Sequence, residues 1–468
     1  MSKSDSVVRI ISHNIKIDIF SPYKIYSDSE TIGTGFFINN NGYILTCAHV
    51  VESAVKIFIN VQSLGKKRIP VTLHSICYEK DIAILRTVDY KNQHYCKLGN
   101  SLSVNSGDHV RAIGYALGRY ESQKTAGIVS GIYDRYIQTD TPINQGNSGG
   151  PLFNENDEVI GINTAKHSDA DGIGFATPIN DFLILHDDMV NNVTNKIIHE
   201  PSLYCETQNM SPNHCKLFKC SVVGCIVKKL IVNSPLYNIG VRPNDIITSF
   251  DEYQLDENGD LDVKWSNNKI NLFDLIVKYT EKSKVNVTYW SIRENIKKTG
   301  IIDLSNNNIY KIKYIHYPLE ELDYEIFSGM IVMELSMNHI ELLHKSDYPS
   351  ETIFNLVRYK DILKRTQSVV FISNILQGSL ISSLSEIHAG SIISSVNGIP
   401  VSNLSDFRKA ISTRSIQTNN MLLSYIRLED KNQIIIDVNE AYAEDNALSS
   451  RYKYNISSIY KNLIAKKK

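Results

Sequence analysis

Three residues of this chain have the types, order and local settings needed for nucleophilic attack on a carbonyl group: His49, Asp81 and Ser148. Ser148 lies in Asn144-Gln145-Gly146-Asn147-Ser148-Gly149-Gly150-Pro151-Leu152. Gly146 and Gly149 admit backbone conformations closed to other residues, so a tight turn can push the Ser148 hydroxyl outward. The same turn can aim the amides of Gly146 and Ser148 at one point, where the oxyanion of a tetrahedral intermediate would sit. A serine hydroxyl near neutral pH needs a base to take its proton and a third group to fix that base. Of the histidines upstream of Ser148 (His13, His49, His74, His94 and His109), His49 directly follows a strand-like run, Ile44-Leu45-Thr46-Cys47-Ala48, and the small Ala48 leaves room beside it. Asp81 opens another, Asp81-Ile82-Ala83-Ile84-Leu85, where a carboxylate can lie half-buried against the imidazole Nδ1–H.

The chain order is therefore His, Asp, Ser. Gly-x-Ser-x-Gly also marks the nucleophile elbow of α/β-hydrolases, but there the serine comes first and sits between a strand and a helix. Here Asn154-Glu155-Asn156-Asp157 and a further strand-like run, Val159-Ile160-Gly161-Ile162, follow the serine, so that reading fails. The elements around the three residues are short apolar runs broken by Gly, Asn, Asp and Ser from residue 7 to about 185. Asn39-Asn40-Asn41-Gly42 marks a hairpin turn between two of them. Many short strands with few helical periods predict an all-β barrel or sandwich.

With 468 residues the chain has room for about three domains of ~150 residues. A hydrophobic share of 42% with 21% charged residues is ordinary for a protein with real cores. The net charge of −1 gives no global reason to expect nucleic acid or an anionic membrane as partner. The start, Met1-Ser2-Lys3-Ser4-Asp5-Ser6, has no apolar signal region, and no window resembles a membrane span. Seven cysteines, an odd count, with no signal suggest a reducing, intracellular compartment, cytoplasmic or nuclear.

Beyond a polar connector at about 186–215, Ile246-Ile247-Thr248-Ser249-Phe250-Asp251-Glu252 and Ile392-Ile393-Ser394-Ser395-Val396-Asn397-Gly398 resemble each other. Each is a strand running into a turn and then a helix-like segment, capped by Asn271 in one case and by Asn403 or Ser405 in the other. The recurrence predicts two copies of one small module. The expected division is 1–195, 196–315, 316–447 and a basic tail at 448–468, read as solvated and frayed or as a weak anion contact. Cys205, Cys215, Cys220 and Cys225, with His214, invite a zinc reading, but spacings of ten, five and five lack a Cys-x-x-Cys knuckle, and unligated buried thiols are expected. Neither a metal nor a cofactor is expected.

Thr46-Cys47-Ala48-His49-Val50-Val51, Asp81 to Leu85 and Gly146 to Leu152 resemble the triad motifs of the Deg/HtrA serine proteases. So do Gly33-Thr34-Gly35-Phe36, Ile137-Gln138-Thr139-Asp140 and Gly172-Ile173-Gly174-Phe175-Ala176-Thr177-Pro178. Val222-Val223-Gly224-Cys225-Ile226-Val227 and the run Ser234 to Ile247 resemble parts of a Deg PDZ domain. Asp323 to Met330 and Val369 to Leu376 look like the divergent second PDZ domain of plant-type Deg proteases. The resemblance implies a mainly β chain, a chymotrypsin-like double β-barrel followed by two α+β PDZ-like domains. It also implies ATP-independent endoproteolysis of unfolded proteins or peptides, and a homo-oligomer, a trimer or a multiple of one.

In that pattern His49 is the base, Asp81 its partner, Ser148 the nucleophile, and Gly146 and Ser148 the oxyanion donors. Ile143, with Asn163 and Thr164 opposite, would line a pocket for a medium aliphatic residue before the cleaved bond. Val223, Gly224, Cys225 and Ile226 would capture a peptide carboxyl terminus. In the second module Lys364-Arg365-Thr366-Gln367 stands where that loop should be, which implies a groove filled by the chain itself or used for subunit contact. Three features depart from the family pattern: the short loop Ile132 to Ile137, the short N-terminus before Ser6, and Pro142. The competing reading is a chaperone or PDZ-based binding protein on a protease scaffold with a locked site.

Overall fold

The computed structural model describes residues 3–133, 135–164, 173–191, 193, 195–266, 268–305, 309–343, 350–384, 387–413, 416–418 and 421–465. It is mainly β and divides into two compact units, Met1–Ile15 with Asp28–Asn307, and Lys16–Ser27 with Asn308–Lys468.

The first unit opens with two barrels. Strands Val7–Ile17, Ile25–Phe37, Tyr43–Thr46, Ile82–Thr87, Ile69–Cys77 and Ala54–Val61 close in that order. The turn after Phe37 is the one its sequence demands: Ile38 N donates to Tyr43 O at 3.0 Å, Asn41 N to Asn39 Oδ1 at 2.9 Å, and Gly42 takes φ +81°. The second barrel runs Pro151–Phe153, His109–Gly114, Gln123–Tyr133, Tyr136–Thr139, Gly174–Pro178 and Glu158–Thr164, closing on Pro151–Phe153. Val110, Ala112, Val129, Ile137, Leu152, Ile160 and Ala176 fill it.

Next comes a sheet ordered Cys205–Gln208, Cys225–Leu230, Ile246–Phe250, Lys284–Ser291, Ile296–Asp303. The helix Leu272–Ile276 covers one face, and Asn271 caps it by accepting from Phe273 N at 3.0 Å, as predicted.

The second unit carries its strands in two separate sheets. Tyr324–Phe327, Met330–Glu334 and Val370–Ile375 form one sheet, and Ile393–Val396 with Met421–Leu428 lies in another. The helix Leu404–Thr413 is capped by Asn403, whose Oδ1 accepts from Asp406 N at 2.8 Å; Ser405 is not used. The run read as a solvated tail is instead packed. Helices Val438–Tyr452 and Ser458–Ala465 place Ile459, Tyr460 and Leu463 in the core beside Phe327. Charge alone misleads there, because those three residues make an apolar stripe at helical spacing. Lys466, Lys467 and Lys468 lie outside the described residues.

Within this unit Lys16–Ser27, the link between the first two barrel strands, packs against the module. Phe20 O accepts from Ser373 Oγ at 2.8 Å, and Asn374 Nδ2 donates to Ser21 Oγ at 2.9 Å. Buried His339 accepts from Ser336 N at Nδ1 (3.1 Å) and donates from Nε2 to Ile19 O (3.0 Å), so it is neutral. Burial holds its pKa down to about 4 from 6.5. Because the unfolded chain binds the proton more readily, the stabilisation is complete above pH 6.5 and is lost as pH falls toward 4, by about 3 kcal/mol. Urea unfolding of the second unit should show that decline, and His339→Gln should flatten it. An equal decline in the variant would remove His339 as its source.

Candidate active site

His49 and Asp81 are brought together by strand pairing. Tyr43–Thr46 pairs with Ile82–Thr87, with Thr46 opposite Ala83. The segment that follows one strand therefore runs past the residue that precedes the other, with Ala48 beside Asp81. The chain turns at Ala48–Val50, so the imidazole stands at the barrel rim with its side chain 34% exposed, while the Asp81 side chain is 5% exposed. His49 Nδ1 lies 2.8 Å from Asp81 Oδ2 and 3.0 Å from Oδ1, and His49 N donates to Oδ1 at 2.9 Å. Thr164 Oγ1 reaches Oδ2 at 3.4 Å. These contacts present Nδ1–H to the carboxylate and leave Nε2 as the basic nitrogen.

Asp81 itself is strained, at φ 56°. Its carbonyl accepts from Ala48 N at 3.1 Å, and the neighbouring Lys80 anchors the turn. The Lys80 side chain is 1% exposed; its Nζ donates to Val277 O at 2.9 Å and lies 3.3 Å from Glu200 and 3.9 Å from Asp181. Lys278 pairs with Asp181 at 2.7 Å, and Arg135, in the short turn of the second barrel, with Glu200 at 3.3 Å. Val277 ends the helix Leu272–Ile276, so the residue beside Asp81 is tied to the first small module.

The Gly146–Gly149 turn packs onto the same strand end. A Cβ on Gly149 (φ +85°) would fall 2.2 Å from Thr34 O and from Thr46 Oγ1 and 3.0 Å from Cys47 N, so only glycine permits this approach. Thr34 organises the turn: its N–H donates to Ser148 O at 2.9 Å, its hydroxyl to Gly146 O at 2.6 Å, and Tyr115 N donates back to that hydroxyl at 2.9 Å. Asn163 O receives Gly149 N at 2.8 Å. The amides of Gly146 and Ser148 donate to no protein acceptor among the described residues, which leaves them available to an oxyanion. Among the same residues no hydrogen bond joins the Ser148 hydroxyl to His49, a contact that in free enzymes commonly tightens only around substrate.

The pocket residues divide. Ile143 is half-buried and packs on Gly174, whose Cβ would lie 2.8 Å from Ile143 Cδ1. Asn163 and Thr164 are buried and serve the frame, one latching Gly149 and the other touching Asp81. Gly172 lies outside the described residues. The roles of Thr34, Thr164 and Lys80 were missed by sequence reasoning; the Gly33-Thr34-Gly35 run was the one available signal.

The expected peptide loop needs correction. Cys225 and Ile226 pair with Ile247 and Ile246 on one side, and Ile226 and Val227 pair with Gln208 and Thr207 on the other. A strand paired on both edges cannot accept an added one. Gly224 is explained by packing, since a Cβ there would sit 2.1 Å from Ile247 O. The strand at the end of this sheet is Cys205–Gln208, preceded by Ser202-Leu203-Tyr204. Burial pushes the Cys205 thiol up and the Cys225 thiol up to about 12, as for inert core thiols.

In the second module the corresponding strand, Met330–Glu334, is paired on both sides, by Tyr324–Phe327 and Val370–Ile375. Arg408 of the helix Leu404–Thr413 holds Asp323 at 2.7 Å, Glu325 at 2.7 Å and Tyr324 O at 2.9 Å. Ser328 N and Gly329 N each donate to the buried Asp445 carboxylate at 2.9 Å, and burial pushes that carboxyl up in pKa against these donors.

Two β-barrels meeting at a His–Asp pair and a glycine-bound serine define a trypsin-like serine protease scaffold. The trypsin-like peptidase domain family matches residues 33–162, and the PDZ domain family residues 315–458. Serine protease HTRA2, mitochondrial, of Drosophila yakuba is 30% identical over 321 residues, covering 61% of this chain and 72% of the relative. A probable periplasmic serine endoprotease DegP-like of Buchnera aphidicola subsp. Baizongia pistaciae is 35% identical over 237 residues, 47% of this chain and 49% of the relative; the chain thus spans about half of that relative's length. A solved variant of the HtrA-type protease AlgW with a decapeptide shares the fold, with a TM-score of 0.51 and 23% identity over 64% of this chain and 94% of the other. The chain belongs to the HtrA family of serine proteases. Among the described residues no helix is long and apolar enough to cross a membrane.

Proposed function

We propose that this chain is an ATP-independent endopeptidase that cleaves unfolded or misfolded polypeptides with His49, Asp81 and Ser148. The observation that carries the reading is the His49–Asp81 pair, at 2.8 Å, standing beside a serine turn whose two amides are unengaged. In this mechanism His49 Nε2 takes the Ser148 proton as Oγ attacks a peptide carbonyl. The amides of Gly146 and Ser148 receive the oxyanion, and His49 then protonates the leaving amine. Asp81 holds Nδ1–H and stabilises the imidazolium. Ile143 offers an apolar wall suited to Val, Ile, Leu or Ala before the cleaved bond. The test is labelling with a fluorophosphonate probe, with cleavage sites in casein mapped in parallel. Labelling lost in Ser148→Ala is the expected result. An unlabelled chain under every condition would favour the locked-scaffold alternative, and dominant cleavage after Arg or Lys would refute the pocket.

The first small module, about 196–315, is read as a PDZ domain that takes a peptide carboxyl terminus by strand addition on Cys205–Gln208, with the loop 202–205 as its carboxylate cradle. The second module is read as self-filled: Tyr324–Phe327 lies in the strand slot and Asp445 on the loop amides. In full-length Ser148→Ala chain, a peptide ending in an apolar residue should protect the amides of Cys205–Gln208 from hydrogen exchange and leave Met330–Glu334 unchanged. Protection confined to Met330–Glu334 would reverse the two roles. An oligomer, and a reducing intracellular compartment suited to seven unbridged cysteines, complete the reading.

A further inference from the structure

Cys47 lies two residues before His49, is fully buried, and donates its thiol hydrogen to Asn163 O at 3.3 Å. Its Sγ, an imidazole nitrogen of His49 and a carboxylate oxygen of Asp81 all lie within 4.8 Å of one another. Among the described residues this is the single grouping of three such donors that could close on an ion, and it is not the 205–225 run whose composition first raised a zinc reading. We propose that the triad doubles as an inhibitory site for a thiophilic divalent cation of the Zn²⁺ class, held by Cys47 Sγ, His49 Nδ1 and Asp81.

The donor set fits that ion. Thiolate, imidazole and carboxylate select zinc over magnesium or calcium, and three protein ligands leave a fourth position for water. Bonds of about 2.3 Å to sulfur and about 2.0 Å to nitrogen and oxygen place ligand atoms roughly 3.3–3.6 Å apart. His49 and Asp81 must therefore open slightly from 2.8 Å while the thiol closes in, movements of side-chain size. Charge also balances: a thiolate and a carboxylate meet a dication in a buried setting where an uncompensated charge is costly. Coordination releases one proton to solvent, from the Cys47 thiol, while the imidazole stays neutral with its proton relocated from Nδ1 to Nε2. With a cation on Nδ1, Asp81 no longer stabilises an imidazolium, and Nε2 loses the basicity that deprotonating Ser148 requires. Binding is thus inhibitory and reversible by chelation.

The inhibitory consequence rests on the triad reading above; the site itself does not. The test uses the full chain stripped of metal. Zn²⁺ should abolish casein cleavage and a chelator should restore it. Cys47→Ser, which keeps the size and a donor to Asn163, should cleave casein and need at least about tenfold more Zn²⁺ for inhibition. Co²⁺ added to Ser148→Ala chain should give a thiolate-to-cobalt charge-transfer band that disappears when Cys47→Ser is added. Equal zinc sensitivity with and without Cys47, or a cobalt band that survives its removal, would overturn the proposal. A chain that shows the Cys47-dependent band but never cleaves keeps the metal site and tells against the protease reading; one that cleaves without the band does the reverse.

Discussion

Ser148→Ala, His49→Ala and Asp81→Ala should each remove nearly all casein cleavage while the chain stays folded. Because members of such a unit act together, any one loss is expected to cost about 10⁴- to 10⁶-fold in kcat, with the double substitution little worse than the worst single one. Residual turnover comes from the oxyanion donors and binding alone. None of the three side chains fills the barrel cores, and the Gly146–Gly149 turn is held by backbone and Thr34 contacts that do not involve the Ser148 hydroxyl. Unfolding midpoints should therefore move little for Ser148→Ala. Asp81→Ala is the sensitive case, since its carboxylate also accepts the His49 amide. Near-normal cleavage by the His49 variant would end the triad assignment.

The second large effect is expected at Lys80. Lys80→Met should destabilise the first unit by about 3 kcal/mol, because removing one member of a buried ionic cluster leaves its partners uncompensated. Lys278 and Arg135 still face Asp181 and Glu200, which limits the loss, whereas the Val277 carbonyl loses its donor at 2.9 Å. For a domain of this size that corresponds to roughly 6–12 °C in melting temperature. Cleavage should also fall at temperatures where the variant is fully folded, because the φ 56° turn at Asp81 loses its anchor. A variant with unchanged melting and unchanged kcat would show that the cluster neither supports the fold nor positions Asp81.

The residue types and settings that raise the triad reading were legible in the chain itself. Triad chemistry demands particular side chains in particular local settings: glycines around Ser148, a small residue before His49, a carboxylate at the start of an apolar strand. Such signals are local, and so are the hairpin at Asn39 to Gly42 and the caps at Asn271 and Asn403. What local pattern could not decide was which edges of a strand are already paired. Gly224-Cys225 reads like a binding loop until Cys205–Gln208 is seen on one side and Ile246–Phe250 on the other. The basic end was likewise misread, because its apolar stripe has meaning only against the sheet that buries Tyr460. Lys80, Glu200, Asp181 and Lys278 come from stretches far apart in sequence, and charged residues are ordinarily solvated. Only the tertiary fold, by excluding water from Lys80 and bringing two carboxylates and a helix carbonyl to it, turns an ordinary surface residue type into the support of the strained turn at Asp81. Chemistry is written in residue types and short spacings; pairing partners and buried charge depend on what lies across space, which one chain read in order does not display.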